Sequence, residues 1–539
     1  MEILNVKNLN LTYPECENNA LCDICFSLEK GDFAVLCGKT GSGKTSLLRM
    51  LKPSLSPRGD KSGEIIFENE NIYDEDFGSD LKIGFVMQNP DQQIVTDKVW
   101  HELAFALENQ NLKKDEIGIR IAEAAQFFGL TELFDKRTDS LSGGQKQLLN
   151  LASVAVMKPD LLILDEPTAQ LDPVSAAEFI TVLTKLNSEM GITVLISEHR
   201  LDELLSLSTK LILMDSGKVV FSLPTREALK RISDENDIQS LFPVCVRLYS
   251  RFPVGEKIPL TVNEAKSFVS NNFKNTIKDY DFENEAKNER KALEFDNVSF
   301  RYTKNSEDVL EKFSLSVFEN EIFCILGANG SGKTTAMNIA AGLIKPYEGN
   351  VKVFGKRIKD YRNNSLYINC LSLLPQDVQT VFLRNTVKEE LDDCKSVCSF
   401  PFDLSYLLDR HPYDISGGEQ QLLALAKVLS NDPKLIILDE PTKGLDGNAK
   451  ERLIKIIKEL KKCGKTVLIV THDVDFAAEI ADRCAFLFNG KTVSADFAHR
   501  FFENNSFYTG TVNRIASGFY NNVIKFDELC EMIVKNTEN

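Results

Sequence analysis

Two glycine-rich segments of this 539-residue chain have the spacing of phosphate-binding loops. Each follows a short apolar run and ends in Lys-Thr. The glycines let backbone N–H groups wrap a polyphosphate, the lysine reaches the terminal phosphates, and the hydroxyl meets a magnesium ion. The candidate nucleotide-binding residues are Gly38, Lys39, Thr40, Gly41, Ser42, Gly43, Lys44, Thr45 and Ser46, with a second set at Gly327, Ala328, Asn329, Gly330, Ser331, Gly332, Lys333, Thr334 and Thr335.

Paired acids end two other apolar runs, at Asp165-Glu166 and Asp439-Glu440. An apolar strand that delivers two adjacent carboxylates is costly unless a cation or a reacting water uses them. Asp165 and Asp439 are therefore candidate magnesium ligands. Glu166 and Glu440 are candidate general bases, which would polarise a water for attack on the γ-phosphate. The pattern predicts hydrolysis of a nucleoside triphosphate.

The motifs occur twice in the same order, which indicates a tandem duplication. Within each half, short apolar runs alternate with helical patterns, as expected for a parallel sheet wrapped by helices. In the first half, strands are predicted at 33–37, 161–164 and 193–196, and a helix at 44–51. Ligands of such sheets bind at the carboxyl ends of the strands, where the polar residues lie.

The duplication predicts two large domains joined by a smaller segment. We expect the first nucleotide-binding domain at 1–232 and the second at 291–500. Residues 233–290 are rich in charge and Asn and are interrupted by prolines, so they are predicted to form a helical appendage and linker. Residues 501–539 are predicted to form a helical tail on the second half.

Composition and charge argue against several classes of protein. No apolar run approaches the ~18 residues of a membrane helix, and the N-terminus does not resemble a secretory signal. We therefore expect a cytoplasmic protein. The net charge of -16 argues against nucleic acid as a partner, because binding to phosphate backbones needs a basic face.

The phosphate loop, a Ser-Gly-Gly-Gln/Glu signature, the Asp-Glu pair and a following histidine together resemble the ATP-binding-cassette (ABC) family. The full set of motifs occurs once in each half, so the resemblance covers nearly the whole chain. It implies an α/β fold with two tandem P-loop NTPase (ABC ATPase) domains. Each would contain a mainly parallel sheet core, an antiparallel β subdomain and a helical subdomain. It also implies ATP and Mg²⁺ as cofactors.

The resemblance assigns roles to residues outside the phosphate loops. Tyr13 and Tyr302 would stack on adenine. Gln88 and Gln376, each followed by a polar loop, would link the metal and the attacking water to a membrane partner. The two glutamines would therefore connect nucleotide binding with a membrane partner.

The histidines and signatures receive roles in the same way. His199 and His472 would contact the γ-phosphate, and Asp172 and Asp446 would join the two ATP sites across an interface. Glu419 is the one departure from the signature, and the Ser-Gly-Gly backbone donors beside it are intact. The signature residues would meet the γ-phosphate held by the opposite half; they are Ser142, Gly143, Gly144, Gln145, Ser416, Gly417, Gly418 and Glu419.

Within the family, Gln88 to Phe105 and Ser197 to Glu203 resemble the energy-coupling-factor (ECF) class of vitamin and metal-ion importers. His411 to Asp414 and Ile258 to Ala265 add to this likeness. In that class a paired ATPase drives a transmembrane scaffold (T) subunit and a small substrate-binding membrane (S) subunit. The resemblance therefore implies pairing of the two halves and a peripheral position on the inner face of the cell membrane. The cargo would be chosen by another protein.

The loops after the two glutamines suggest where a membrane subunit binds. Ile94-Val95 and Val381-Phe382-Leu383 are expected to line apolar grooves that accept helices of the scaffold subunit. In the alternative interpretation, these side chains pack inside the helical subdomain.

Three other classes are alternatives. A sugar-importer ATPase also has two cassettes, but its second phosphate loop usually departs from the pattern, whereas Gly327 to Thr334 is intact. A ribosome-binding translation factor would carry a long basic arm between the cassettes, and Ile232 to Arg290 is mixed in charge. A DNA-repair ATPase would need zinc-binding cysteine clusters or long coiled coils, and the sequence shows neither. The ECF importer is the favoured interpretation.

Overall fold

In a computed structural model of the protein, the structure describes residues 1–14, 18–74, 77–78, 80–110, 112–232, 236–255, 257–274, 278–282, 289–392 and 402–537. The chain divides into two compact units, Met1–Thr261 and Val262–Asn539. The division falls inside the segment for which the sequence predicts an appendage and linker.

The first unit combines two sheets with surrounding helices. Its strands are β1 (Glu2–Thr12), β2 (Leu21–Glu29), β3 (Phe33–Gly38), β4 (Asp60–Phe67), β5 (Glu70–Asn71), β6 (Ile83–Val86), β7 (Leu161–Asp165), β8 (Thr193–Ser197), β9 (Lys210–Asp215) and β10 (Lys218–Pro224). Its helices are α1 (Lys44–Met50), α2 (Val99–Asn109), α3 (Lys114–Phe127), α4 (Gly143–Ala155), α5 (Pro173–Met190), α6 (Leu204–Leu207), α7 (Thr225–Ile232) and α8 (Val244–Arg251).

The larger sheet of this unit has the order β10-β9-β3-β8-β7-β6. Its strands are parallel except for the antiparallel pair β9 and β10. β3, β7 and β8 are buried at every position, because helices cover one face of the sheet and the smaller sheet with α1 covers the other. The smaller sheet, β2-β1-β4-β5, is antiparallel and packs its apolar face on α1 and the larger sheet.

The second unit begins with α9 and repeats this plan. Its strands are β11 (Lys291–Phe300), β12 (Leu310–Phe318), β13 (Ile322–Leu326), β14 (Glu348–Val353), β15 (Lys356–Arg357), β16 (Leu371–Leu374), β17 (Leu435–Asp439), β18 (Thr466–Thr471), β19 (Arg483–Phe488) and β20 (Lys491–Phe497). Its helices are α9 (Val262–Asn272), α10 (Lys333–Ala340), α11 (Val387–Asp392), α12 (Gly417–Leu429), α13 (Gly447–Lys462), α14 (Val474–Ile480), α15 (Ala498–Asn504), α16 (Thr511–Ala516) and α17 (Phe526–Thr537).

The larger sheet of the second unit has the order β16-β17-β18-β13-β19-β20, again with one antiparallel strand at the edge. An antiparallel sheet, β12-β11-β14-β15, lies beside it. α9, from the interdomain segment, contacts α16 in the C-terminal tail. Together these elements confirm the predicted architecture of a mainly parallel core, an antiparallel subdomain and helices in each half.

The strands predicted from the first-half sequence are confirmed as β3, β7 and β8, and the helix predicted after the first phosphate loop is α1. Among the residues that the structure describes, no helix has both the length and the apolar character needed to span a membrane.

Candidate active site

Both phosphate loops connect the central strand of a parallel sheet to a helix, from β3 to α1 and from β13 to α10. Gly43 and Gly332 precede these helices with φ of 97° and 100°, a left-handed conformation that favours glycine. A Cβ on Gly38 would lie 2.2 Å from the Met214 carbonyl oxygen, so that position has no room for a side chain. The buried strand and the conformational freedom of the glycine backbone together determine the shape of the loop.

The loop lysines fold back into their own loops. Lys44 Nζ donates to the carbonyl oxygens of Gly38 and Lys39, at 2.9 and 3.2 Å. Lys333 Nζ donates in the same way to the carbonyl oxygens of Gly327 and Ala328. It also lies 3.8 Å from Glu440 Oε1. Both side chains are almost fully buried, at 5% and 6% exposure. Burying a positive ammonium group is costly without an anionic partner, and the terminal phosphates of a bound nucleotide would supply that partner.

Asp165, at the end of β7, meets the phosphate loop of its unit. Its Oδ1 accepts hydrogen bonds from Thr45 Oγ1 at 3.2 Å and from Ser197 Oγ at 2.8 Å. Burial raises the pKa of the Asp165 carboxyl, an effect that the hydrogen bond from Ser197 opposes. No sequence motif assigns a role to Ser197, although a polar residue ending a buried strand beside β7 is a signal that could have identified it.

Asp439 occupies the equivalent place at the end of β17. Burial raises the pKa of Asp439 to about 6, and the Thr334 hydroxyl lowers it less than burial raises it. Among the described residues, Asp439 Oδ1 has no hydrogen-bond partner although it is buried. A buried, unpaired carboxylate oxygen beside a threonine hydroxyl is a donor set that suits Mg²⁺, which binds hard oxygen ligands.

The glutamates that follow these aspartates share an unusual backbone. Glu166 and Glu440 have φ of 44° and 49°, the left-handed region that non-glycine residues seldom adopt. Each backbone N–H donates to the neighbouring strand, to the Ser197 carbonyl oxygen in one case and to the Val470 carbonyl oxygen in the other. Strain of this kind is kept where the surrounding structure requires it, often at functional sites.

Each glutamate carboxylate contacts the histidine of its own unit. The Glu166 Oε1 lies 2.8 Å from His199 Nε2, and the Glu440 Oε2 lies 2.9 Å from His472 Nδ1. Gln88 Nε2 donates to Glu166 Oε2 at 3.0 Å. Gln376 is exposed, and within the described part of the chain no hydrogen bond joins it to Glu440. The first site therefore brings together glutamate, histidine and glutamine, and the second brings together glutamate and histidine.

Both tyrosines lie beside the helix that follows a phosphate loop. The Tyr13 hydroxyl is 2.9 Å from Ser46 Oγ, and the Tyr302 hydroxyl is 3.0 Å from Thr335 Oγ1. Tyr302 is 63% exposed, with its ring edge-on to Phe300. An exposed ring anchored at its hydroxyl suits stacking with a planar base.

The signature serines begin helices. Ser142 caps α4 and Ser416 caps α12, each in a capping box with the residue three positions later. Glu419 Oε2 accepts from both the backbone N–H and the hydroxyl of Ser416, at 2.8 and 2.7 Å. Glutamate in place of glutamine therefore preserves the capping box. Asp172 is likewise the N-cap of α5, and Asp446 the N-cap of α13.

Comparison with known proteins identifies both halves. The family described as ABC transporter matches residues 21–169 and 310–443, together more than half of the chain. The chain belongs to the ABC transporter family. It is an ATP-binding and ATP-hydrolysing protein with two tandem ABC domains, and transporters of this family also contain transmembrane subunits. The expectation of an ATP hydrolase is confirmed.

Relatives of this ABC ATPase span nearly its full length. A Bacillus thuringiensis subsp. konkukian (strain 97-27) protein, named as an ABC transporter ATP-binding protein, is 39% identical over 526 residues, 94% of both chains. YkoD of Bacillus subtilis (strain 168), named as an HMP/thiamine import ATP-binding protein, is 30% identical over 498 residues, 89% of both chains. The solved structure of cbiO1 from Clostridium perfringens, part of the ABC transporter complex cbiONQ, is 32% identical, with a TM-score of 0.39; the match covers 44% of this chain and 96% of cbiO1.

Proposed function

We propose that this ABC protein is the energy-coupling ATPase of an ECF-type importer, with a transmembrane scaffold subunit and a small substrate-binding membrane subunit as partners. Its similarity to YkoD over 89% of both chains, and the reference to HMP/thiamine import in that protein's name, carry the proposal. The stretches from Gln88 to Phe105 and from Ser197 to Glu203 support the class. The cargo would be a vitamin, a vitamin precursor or a metal ion, and the ATPase would bind to the inner face of the cell membrane.

Reconstituted uptake tests this proposal. The chain would be produced with the membrane proteins encoded beside its gene and reconstituted in vesicles. ATP-dependent accumulation of a thiamine precursor, biotin, Co²⁺ or Ni²⁺ is the expected result. Accumulation of a sugar, and of none of these, would contradict the assignment to the ECF class and favour the sugar-type alternative.

In the first unit, Lys44 would bind the terminal phosphates, while Thr45 and Asp165 would hold Mg²⁺ with Gln88 nearby. A bound magnesium ion would neutralise charge that develops on the transferred phosphate. Because Thr45 Oγ1 and Asp165 Oδ1 are already 3.2 Å apart, the oxygens that would hold the ion need little rearrangement. The corresponding residues of the second unit are Lys333, Thr334, Asp439 and Gln376.

Glu166 would act as the general base of the first unit. Its two carboxylate oxygens contact His199 on one side and Gln88 on the other, which orients the carboxylate for a water beyond them. Glu440 would act in the same way in the second unit, with His472 as its partner. Both bases are present, so both ATP sites are proposed to hydrolyse ATP.

We also propose that each ATP site is completed by the signature of the other half. The residues of the first phosphate loop would face Ser416 to Glu419, and those of the second would face Ser142 to Gln145. Each capping box engages the N–H groups of the serine and of the residue three positions later. The two glycines between them lie in the first turn of the helix, where an anion is stabilised, and this supports the role. A site divided between two bodies would couple ATP binding to closure, a motion that a transporter can use.

The loops after Gln88 and Gln376 are proposed to bind the scaffold subunit. The residues that would contact it differ in part from those expected from the sequence. Val95 and Leu383 are 63% and 82% exposed, whereas Phe382 is only 6% exposed and belongs to the core. The expectation that Phe382 lines a groove is therefore wrong, because its ring packs inside the second unit. Leu383, the next residue, carries the exposed apolar surface.

Two buried glutamates hold these loops, and no sequence motif assigns them a role. Glu102 accepts hydrogen bonds from the backbone N–H groups of Val95 and Thr96, at 3.1 and 2.8 Å. Glu390 holds the second loop in the same way and forms an ion pair with Lys427 on α12. An exposed apolar tip on a fixed loop is the form expected of a docking element.

Val95→Asp combined with Leu383→Asp should abolish co-purification of the ATPase with the scaffold subunit, because a charge at each tip opposes burial in an apolar interface. Co-purification from detergent extracts, with melting temperature as a check on folding, measures the effect. Val220→Asp, at a position 48% exposed on β10, is the matched control and should co-purify normally. Normal co-purification of the double variant would exclude these loops as the docking site.

A further inference from the structure

A buried carboxylate joins two loops of the first ATP site. Glu198, the residue before His199, is 2% exposed. Its Oε1 accepts hydrogen bonds from the backbone N–H and the hydroxyl of Thr168, both at 2.7 Å. Its Oε2 accepts a longer bond, at 3.3 Å, from the backbone N–H of His199.

The position of Thr168 gives these bonds their importance. Thr168 lies two residues after Glu166, in the turn that connects β7 to α5. Glu198 therefore joins the loop that carries Glu166 to the loop that carries His199. Burying a carboxylate is costly, and a neutral residue would pack in its place at lower cost if the site were only structural.

The second unit has a different arrangement at this position. Thr471, which precedes His472, replaces the glutamate, and its hydroxyl accepts a hydrogen bond from the backbone N–H of Asp473 at 3.0 Å. Thr442 corresponds to Thr168, since it lies two residues after Glu440. A threonine side chain is too short to repeat the pair of bonds that Glu198 makes. Each unit thus has its own proposed base and histidine, but the residue before the histidine is a glutamate in the first unit and a threonine in the second.

We propose that Glu198 is a positioning residue of the first ATP site, whose carboxylate holds the loops of Glu166 and His199 in the arrangement that ATP hydrolysis requires. The proposal applies to the first site alone, because Thr471 occupies the corresponding position in the second unit. This inference rests on the proposed roles of Glu166 and His199.

The charge state of Glu198 gives the proposal a measurable consequence. Burial raises the pKa of Glu198 to about 7; the bonds from Thr168 and the nearby His199 lower it, and the Glu166 carboxylate raises it. Above this pKa the carboxylate accepts every hydrogen bond offered to it. Below it, one oxygen carries a proton, and the bonds to the two loops weaken. Turnover at the first site should therefore fall as the pH drops through about 7.

The test uses the full chain with Glu440→Gln, which removes the proposed base of the second unit and leaves the first site to be measured. Steady-state phosphate release would be recorded on both sides of the Glu198 pKa. Adding Glu198→Gln should lower turnover roughly 10-fold above that pKa, because small misplacement of catalytic groups is costly. Glu198→Gln should also abolish the fall in turnover below that pKa, since an amide mimics the protonated carboxyl at every pH.

Thr168→Val, in the same background, gives an independent readout. Loss of the hydroxyl removes one bond that lowers the pKa of Glu198. The fall in turnover at acid pH, the acid limb of the profile, should therefore begin at a higher pH. Thr471→Val in a Glu166→Gln background is the matched control in the second unit, and it should leave turnover within about twofold of its parent. ATP binding and melting temperature would be measured for every variant.

Two results would overturn the proposal. One is an unchanged pH profile for Glu198→Gln; the other is loss of turnover only in step with ATP binding and melting temperature, which would show a merely structural role. If Glu440→Gln alone abolished turnover, independent turnover of the two sites would have failed instead. The comparison would then be made in the chain with both bases present, where Glu198→Gln must still abolish the acid limb.

Discussion

A chain that carries both Glu166→Gln and Glu440→Gln should bind ATP with unchanged affinity and release phosphate about 10²-fold more slowly, or slower still. The amide cannot accept a proton from the attacking water, whereas Asp165, Asp439 and the loop lysines are unchanged. Glutamine has nearly the same volume as glutamate, so the backbone at these positions has no new reason to rearrange. Equilibrium ATP binding and steady-state phosphate release provide the two measurements.

A control separates loss of the base from a general effect of removing carboxylates. Glu189→Gln, at an exposed position on α5, should leave turnover unchanged. If the double variant kept more than about a tenth of wild-type turnover, the loss would be too small for a general base. Glu166 and Glu440 would then have another role.

A bulky substitution at Gly143 should reproduce the effect of Glu440→Gln, because both residues are proposed to belong to one composite site. Combining them should cost little more than either alone, since groups that act as a unit are strongly non-additive. Gly143→Leu with Glu166→Gln should instead damage both sites and abolish nearly all turnover. Phosphate release from the single and double variants completes the two mutant cycles.

The structure makes Gly143 a suitable position for this test. A Cβ there meets no described atom within 4 Å, and the same is true of Gly417, its counterpart in the second signature. By contrast, a Cβ at Gly144 would lie 2.8 Å from Ser175 Oγ, so a loss of activity there would be confounded by a clash. The effect of Gly143→Leu should therefore arise from a missing contact with ATP.

The reciprocal cycle is the matched control. Gly417→Leu should be redundant with Glu166→Gln and additive with Glu440→Gln. If Gly143→Leu were redundant with Glu166→Gln and additive with Glu440→Gln, each half would be hydrolysing ATP with its own signature. That result would refute the proposed pairing of the two halves.

The chemistry of the site follows closely from the sequence wherever the residues are local. Phosphate loops, paired acids and signatures are short segments, and their geometry depends on glycine backbone freedom, on an apolar strand and on helix capping. The departure at Glu419 shows the limit of this reasoning. The sequence indicates that the substitution is tolerated, and the structure gives the reason, because the carboxylate accepts the capping-box bond from the Ser416 N–H and a further bond from the Ser416 hydroxyl.

Side chains that meet across the fold are harder to predict. Gln88 and Gln376 occupy matching positions in the sequence, but only Gln88 has a hydrogen bond to its glutamate within the described structure. Phe382 and Leu383 are adjacent apolar residues, and their exposures of 6% and 82% have opposite consequences for a partner. Sequence pattern does not separate such neighbours, because burial depends on which elements pack against each one.

The sequence by itself determined the duplication, the α/β fold class and the residues proposed to meet phosphate, since each of these depends on spacing along the chain. Tertiary structure alone decided how those residues are held. The left-handed backbone at Glu166, the hydrogen bond from Ser197 to Asp165 and the burial of Glu198 arise where β7 and β8 lie side by side. Residues on these strands are distant in sequence, and only the pairing of the strands brings their polar ends within hydrogen-bond distance.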